Sequence, residues 1–412
     1  MEKLITRTYT KRPGNANPKR EFDLRQKTEY YWSMKVIVLI LLAVLLSGCA
    51  GDVPAISGAV REPHPHAARF EIVSPYSGID WERYGQYKAA LHTHTSRSDG
   101  RNTLAEMVEE HYAQGFDILA ITDHNVLNRD WTSGRHALTQ ARYSEIRAGT
   151  GRGGRGMLRI PLTNEQSRGQ HLNTFFADFN NARGDNLRRN IERAERLGGL
   201  SHINHPGRYT GGRRSGERGV NASNNPRTVQ GYVDLFMEFP SLLGLEIINR
   251  RDRESINDRI LWDNILRETI PQGRFVWGFS NDDSHRARDV GYSFNMFIMP
   301  ENTLQHFREA LVHGRFFAAA RVSRWELGQD FTGSGPVPVI RNIVVDQDAA
   351  LITIAAEHYT AIDWMYGGTV IVQGAVINIA EHQREIGSYV RANIIGPGGI
   401  VFTQPFGVVR AE

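Results

Sequence analysis

The sequence predicts an α/β catalytic domain followed by a small C-terminal β-sandwich, and two observations carry that expectation. From about Gly85 short apolar runs alternate with helical stretches, as in the βα units of a barrel or an open parallel sheet. After Trp325 a turn-rich linker, Phe331-Thr332-Gly333-Ser334-Gly335-Pro336, ends the helical periodicity, and β-branched runs separated by turns take over. At 412 residues the chain is too long for one small core.

In chain order, 1–33 is a polar extension. Met34-Lys35, the apolar run Val36 to Leu46 and then Ser47-Gly48-Cys49 have the order and size of a secretory signal peptide, and the run is short for a bilayer span. The segment 34–49 resembles a bacterial lipoprotein signal, which implies a start at Met34, a lipidated Cys49 as the first mature residue, and attachment to a membrane of the cell envelope, facing outside the cytoplasm. Cys49 is the single cysteine, which excludes an internal disulfide and a cysteine-rich zinc site. A tether rich in Pro, Ala and His is expected over 50–84, with His64 and His66 solvated.

The catalytic domain is expected over 85–330. Strands are expected at Ala89 to His92, Asp117 to Thr122, Leu158 to Thr163, Asn173 to Ala177, Leu200 to Ile203, Leu245 to Ile248 and Phe275 to Gly278. Helices are expected at Leu104 to Gln114, Leu187 to Leu197, Asp258 to Glu268 and Thr303 to Val312, with loops at Gly149 to Gly156 and Gly207 to Gln230. The β-rich domain, 331–412, is expected to hold strands at Val337 to Gln347, Ala350 to Ala356, Thr369 to Ile379 and Tyr389 to Ile395. It has no acid and histidine cluster of its own.

The chemistry is carried by short histidine and acid motifs that follow the expected strands. His92 and His94, at i and i+2 on a strand, share one face and can reach one metal ion. Asp99 follows the first strand, His124 the second, Glu165 the third, His205 a later one, and Asp283 and His285 the last, where βα loops build active sites. Imidazole and carboxylate donors together suit Mn, Zn or Fe. Asp123, next to His124, is placed to orient a ligand. His202 is an alternative to His205, and Asp282 to Asp283. His171 is a residue for the pocket wall, and His111 has no companion motif.

His92-x-His94 with Ser98-Asp99-Gly100, then Ile121-Thr122-Asp123-His124, His205-Pro206 and Asp283-x-His285, resemble the PHP superfamily, named for polymerase and histidinol phosphatase. The resemblance spans roughly Gly85 to Ala320, and the signal and β-rich tail are similar to its carbaryl-hydrolase-like branch. It implies a distorted (β/α)7 barrel with two or three divalent metal ions at the C-terminal strand ends. His92, His94, Glu165 and Asp283 would bind the more buried ions, with Glu165 as a bridge. Asp99, His124, His205 and His285 would fill the other ligand positions. Glu246 is also expected in the metal ligand set, at a position where the superfamily often has histidine, and an acid there can instead pair with a nearby arginine.

Arginines suggest the substrate. Arg208, Arg213, Arg214 and Arg218 follow His205, Arg250, Arg251 and Arg253 follow Glu246, and Arg286 and Arg288 follow His285. Their planar forks suit phosphate or carboxylate, which points to a small anionic, phosphorylated substrate or a short nucleic acid. The net charge of +4 does not by itself mark a nucleic-acid binder, and no aromatic stacking platform is visible. The leading expectation is a metal-dependent phosphoesterase using a metal-activated water on a phosphomonoester, nucleotide or short oligonucleotide, with 5′ to 3′ exonuclease-like activity included. Arg208, Arg250 and Arg286 would face the transferred group, and His205 or an acid outside the ligand set would protonate the leaving oxygen. Two alternatives stand beside it: an ester, carbamate or amide hydrolase on the same metals, and a surface protein that binds without turnover.

Overall fold

The computed structural model describes residues 70–410. The polar extension, the lipoprotein signal with Cys49, and His64 and His66 lie outside the described residues. Strand β1 (Phe70–Val73) falls inside the expected tether, yet it pairs antiparallel with Phe406–Arg410 near the C-terminus. Phe70 and Ile72 are buried, and the Tyr76 hydroxyl donates to Phe316 O and accepts from the Gln404 N–H. Alternate burial of an apolar strand face fixes this segment in place, so the tether ends earlier than the composition implied.

Strand β2 (Gly85–Ala90) leads into helix α1 (Leu104–Ala113), which starts at a reciprocal cap: Thr103 accepts from the Glu106 N–H, and Glu106 accepts from the Thr103 N–H. Strand β3 (Ile118–Leu119), helix α2 (Gln140–Ala148) and strands β4 (Leu158–Arg159), β5 (Asn164–Gln166) and β6 (Leu172–Phe175) follow. Helix α3 (Leu187–Arg196) then precedes strand β7 (Leu200–Ile203). The stretch 207–230, expected to be loop, is largely helical: α4 (Gly207–Thr210), α5 (Glu217–Ser223) and the start of α6 (Pro226–Glu238). Its polar, glycine-containing sequence lacks an apolar stripe. The Asn257 amide donates to Gly212 O and Arg214 O, tying the segment to the start of α7 (Asp258–Thr269). Strands β8 (Leu242–Asn249), β9 (Trp277–Asn281), β10 (Ser293–Met299) and β11 (Phe316–Ala320), with helix α8 (Leu304–His313) between the last two, complete the α/β part.

Within one sheet β4, β3, β2, β10 and β11 are neighbours, β2 to β4 parallel and β10 antiparallel to both β2 and β11. A second sheet runs β5, β6, β7, β8, β9, with β6 antiparallel to both neighbours and β7 to β9 parallel. All residues of β8 and β9 are buried, as parallel strands covered on both faces require. Two isolated parallel bridges, Thr93 to Ser284 and His124 to Glu165, link the sheets beyond the C-terminal ends of β2 and β3.

The β-rich tail does not stand apart as a sandwich. Val339–Asp346, Leu351–Glu357 and Val376–Asn378 form a three-stranded sheet, but Ala361–Tyr366, Tyr389–Gly396, Gly399–Phe402 and Phe406–Arg410 belong to the sheet of β2. The junction is Gly399–Phe402 against β11, an all-buried strand whose edge needs a partner. A buried ion pair adds to it, with Arg391 donating through Nε and Nη2 to Asp263 on α7 at 2.8 and 2.7 Å.

Candidate metal centre

His92, Thr93 and His94 lie just past β2 in extended backbone, where Thr93 pairs with Ser284. His92 Nε2 and His94 Nε2 are 3.1 Å apart, and Asp283 Oδ1 lies 3.4 Å from the first and 3.0 Å from the second. Two donors about 2.1 Å from one ion, at tetrahedral or octahedral angles, stand about 3.0 to 3.4 Å apart. Glu165 reaches both sides of the cluster. Its Oε1 is 3.3 Å from His92 Nε2, 3.6 Å from His205 Nε2 and 2.8 Å from His171 Nδ1, while Oε2 is 2.5 Å from His124 Nδ1 and 3.7 Å from His94 Nε2. Asp99 Oδ2 meets His124 Nε2 at 3.6 Å and His285 Nε2 at 3.2 Å, and Asp99 Oδ1 is 3.7 Å from His94 Nδ1. Among the described residues four overlapping groups could each hold an ion: His94, Asp99, His124 and His285; His92, Glu165 and His205; His92, His94 and Asp283; His124, Glu165 and His171.

The donor chemistry fits divalent metal. His94 Nδ1, His124 Nδ1, Glu165 Oε2, His205 Nδ1 and Asp283 Oδ1 are buried without a hydrogen-bond partner. His124 Nδ1 and Glu165 Oε2 converge to 2.5 Å. Such orphans are costly unless an ion takes them up. Burial raises the Glu165 and Asp283 carboxyls, but the neighbouring histidines, His92 foremost, outweigh it and hold both well below the usual range. Burial lowers His92, and Asp283, Glu246 and Glu165 more than reverse this. The cluster therefore attracts positive charge, which a metal ion supplies in place of protons.

Glu246 has a different place from the one expected. It belongs to none of the four groups, and its oxygens are engaged by four neighbours. Oε1 faces His92 Nδ1 at 2.8 Å and accepts from Asn281 Nδ2 at 2.8 Å; Oε2 accepts from the His205 N–H at 2.9 Å and Asn249 Nδ2 at 2.8 Å. A carboxylate held in this way fixes the orientation of the His92 ring. Asp123 does not orient His124. It accepts from the Thr95 N–H, the Thr95 hydroxyl and the Ser98 hydroxyl, each at 2.7 Å, and so shapes the loop carrying His94 and Asp99. Asp282 caps the β9 to β10 turn by accepting from the Gly291, Tyr292 and Ser293 N–H groups, and burial pushes its carboxyl up to about 7. His202 is stacked on Phe279 below the centre, and burial lowers it to about 3.

The arginines divide. Arg250 lies on the rim, with Nε 3.0 Å from Asp283 Oδ2 and Nη2 2.6 Å from His285 Nδ1. It lines a pocket of about 890 Å³ with Arg101, Arg251, Arg253, Arg286 and Arg288. Arg208 is exposed on α4 and is not in that lining. Arg213 is paired with Glu254. Sequence reasoning gave no role to Tyr209, whose ring packs on His205 and His171, or to Asn204, Asn249 and Asn281, which donate to Glu165 and Glu246. Asparagines have no spacing signal that marks them. His205 at φ 29° and Asp283 at φ 46° are left-handed non-glycine residues, a concentration of backbone strain at the centre.

Residues 90–191 match the PHP domain model. That segment carries His92, His94, Asp99, His124, Glu165 and His171, while His205, Asp283 and His285 follow it. No curated protein matches the chain. Among solved structures the chain is similar to a two-domain protein from Bacteroides vulgatus containing a predicted PHP-like metal-dependent phosphoesterase, with 16% identity, TM-score 0.42, and 81% of this chain and 89% of that one covered. It is also similar to a lesion-specific endonuclease from Pyrococcus furiosus, with 16% identity and TM-score 0.35 over 55% of this chain and 56% of that one. An amidohydrolase from Chromobacterium violaceum with bound sulfate and no metal gives 15% identity and TM-score 0.32 over 55% and 96%. With the PHP domain match and the converging donor set, the chain is a metal-dependent hydrolase.

Proposed function

We propose that the chain hydrolyses phosphate esters of small anionic substrates, with nucleotides and short oligonucleotides as the first class to test. The observation that carries this reading is Arg250, held between Asp283 and His285 with five further arginines along the adjoining pocket. A planar cation fixed beside the metal ligands offers two parallel donors to a phosphoryl group. His92, His94, Glu165 and Asp283, with Asp99, His124, His205 and His285, would hold two or three Mn, Zn or Fe ions. Those ions would supply an activated water and neutralise charge on the transferred group. Glu246 keeps His92 in one orientation, and Asp123 keeps the Thr95 to Ser98 loop closed under Asp99. His171 is only partly buried, which leaves it more accessible to a leaving group than the buried His205.

The reading of β2 to β9 as a distorted (β/α)7 barrel is supported by the two bridges that join the sheets at the metal end. A lipid on Cys49, and with it a place in the cell envelope, is supported by the Val36 to Leu46 run before Ser47-Gly48-Cys49. Cys49→Ser should release the protein from membranes. The test of function is a panel of phosphate esters, aryl esters and carbamates, run with measured metal content. Metal-dependent phosphate release that is lost in His92→Ala supports the proposal, and turnover confined to aryl esters or carbamates overturns it.

A further inference from the structure

The loop after β8 places three consecutive non-glycine residues in the left-handed region: Arg250 at φ 47°, Arg251 at 54° and Asp252 at 57°. L side chains adopt this conformation reluctantly, and a run of three persists only where its surroundings over-determine it. The surroundings here are a buried ionic clamp. Arg259 on α7 donates Nη1 to Asp252 Oδ1 at 2.8 Å and Nη2 to Oδ2 at 2.9 Å. Its Nε donates to Glu326 Oε1 at 2.6 Å, and Nη1 also reaches Ile247 O at 2.9 Å. Arg324 closes the clamp from the opposite side, its N–H donating to Asp252 Oδ2 at 2.7 Å and its Nε to Arg251 O at 3.2 Å. Arg324 and Glu326 lie on the segment that leaves β11 for the C-terminal strands. The clamp thus ties that connection to the turn whose first residue is Arg250.

We propose that Arg259 is a positioning residue: by pairing with Asp252 and Glu326 it holds the left-handed turn that sets Arg250 beside Asp283 and His285. This rests on Arg250 receiving the anionic group of the substrate. The Arg259 side chain is 4% exposed, too deep to touch substrate, so its effect passes through the turn. The bidentate fork is what fixes geometry. A lysine keeps the charge and cannot span both Asp252 oxygens and Glu326.

The test is a double-mutant cycle on the metal-loaded full chain with Arg259→Lys, Arg250→Ala and the double variant. Two quantities are read: kcat/KM on a phosphate ester that the enzyme turns over, and the Kd of inorganic phosphate by calorimetry. In the Arg250 background, Arg259→Lys should worsen both by about tenfold with metal content unchanged, as small displacements of a positioned group do. In the Arg250→Ala background the change should be under about twofold, because the only route of action is already gone. Equal factors in both backgrounds, or no change in either, overturn the proposal. If Arg259→Lys loses cooperative melting, Glu326→Gln, which leaves the Asp252 pair intact and weakens the contacts of Glu326 with Arg259 Nε and the Ser323 hydroxyl, is read by the same criterion. An enzyme that binds phosphate and cleaves no phosphate ester sinks the substrate reading while the cycle is still decided from Kd. One that binds no phosphate overturns both.

Discussion

Glu246→Gln separates a residue that binds metal from one that orients a metal ligand. The substitution keeps shape and removes charge. Four donors converge on the native carboxylate, from His92, Asn281, the His205 N–H and Asn249. A glutamine can accept with one oxygen only, so its amide nitrogen faces two donors whichever way it turns. Leaving a buried donor unsatisfied costs about 1–3 kcal/mol, which for two donors is about 2–6 kcal/mol before relaxation. Part of this appears as lost stability. The rest appears in metal affinity, because the His92 ring is no longer fixed, and loss of such a partner weakens binding about 10- to 100-fold. Burial works to raise the Glu246 carboxyl and His92 holds it below its usual value, so the native group is the charged acceptor that the cycle of bonds requires. Calorimetric titration of the metal-free protein, together with a melting curve, gives stoichiometry and affinity in one preparation. The expected result is unchanged stoichiometry at saturating metal with weaker affinity. A stoichiometry reduced by one ion would refute the reasoning and return Glu246 to the ligand set.

Four further outcomes follow from the same geometry. Glu165→Asp shortens the bridging arm by one carbon–carbon bond, about 1.5 Å, so at least one ion should be lost at saturating metal; full stoichiometry with native affinity would contradict the bridge. Arg286→Ala should raise KM about tenfold and Arg208→Ala less than about twofold if only the pocket-lining arginine meets substrate, and the reverse order in steady-state assays would move the substrate to α4. Burial lowers His111 from 6.5 to about 4, so the unfolded chain binds a proton that the native chain refuses; stability should be full above pH 6.5 and fall by about 3 kcal/mol toward pH 4 relative to His111→Gln, and parallel denaturation curves for the two proteins would exclude this. Asp263→Ala strands the buried Arg391 and should cost about 3–5 kcal/mol, whereas replacing the pair by Leu and Met should be near neutral; equal melting losses in the two variants would show that the pair itself stabilises the junction.

The order of the metal motifs was legible because each lies just past a strand, and strand ends can be read from apolar runs. His92 and His94 share a face by the two-residue period, and the spacing to His285 favours Asp283, which lies with both histidines, while the Gly291 to Ser293 turn engages Asp282. What the sequence could not carry was the partner of each acid. Glu246 and Glu165 are both buried acids beside histidines. Only the distances distinguish them, since Glu246 meets four donors and Glu165 keeps an orphan oxygen. Asp123 was read through its neighbour His124, yet its partners are Thr95 and Ser98, some 25 residues earlier. The joining of the β-rich tail to β11 was not legible because strand pairing is non-local: Phe402 beside Ala318 leaves no trace in either segment. The short helices α4 and α5 escaped because their polar sequence has no apolar stripe, and Asn257 ties the turn between them to the start of α7.

The departure of the sheets from a regular parallel order has a cause at Glu165. After β4 the chain turns at Leu162, with φ 54°, and the Thr163 hydroxyl ties back to Ile121 O at 2.6 Å. This re-aims the strand, so that β5 pairs with the antiparallel β6 instead of extending β4. Glu165 is consequently held from both sides. Its backbone bridges to His124, its carbonyl accepts from the Asn125 N–H at 2.8 Å, and across β5 it is registered with Asn173. A residue on a regular edge strand is fixed from one side only and can tilt. Pinned between two strands, the Glu165 side chain must project inward, one oxygen toward His92 and His205 and the other toward His124. The break in the sheet is therefore what allows a single carboxylate to meet the histidines that follow β2, β3 and β7 together, and the isolated bridges mark where regular pairing was given up for that placement.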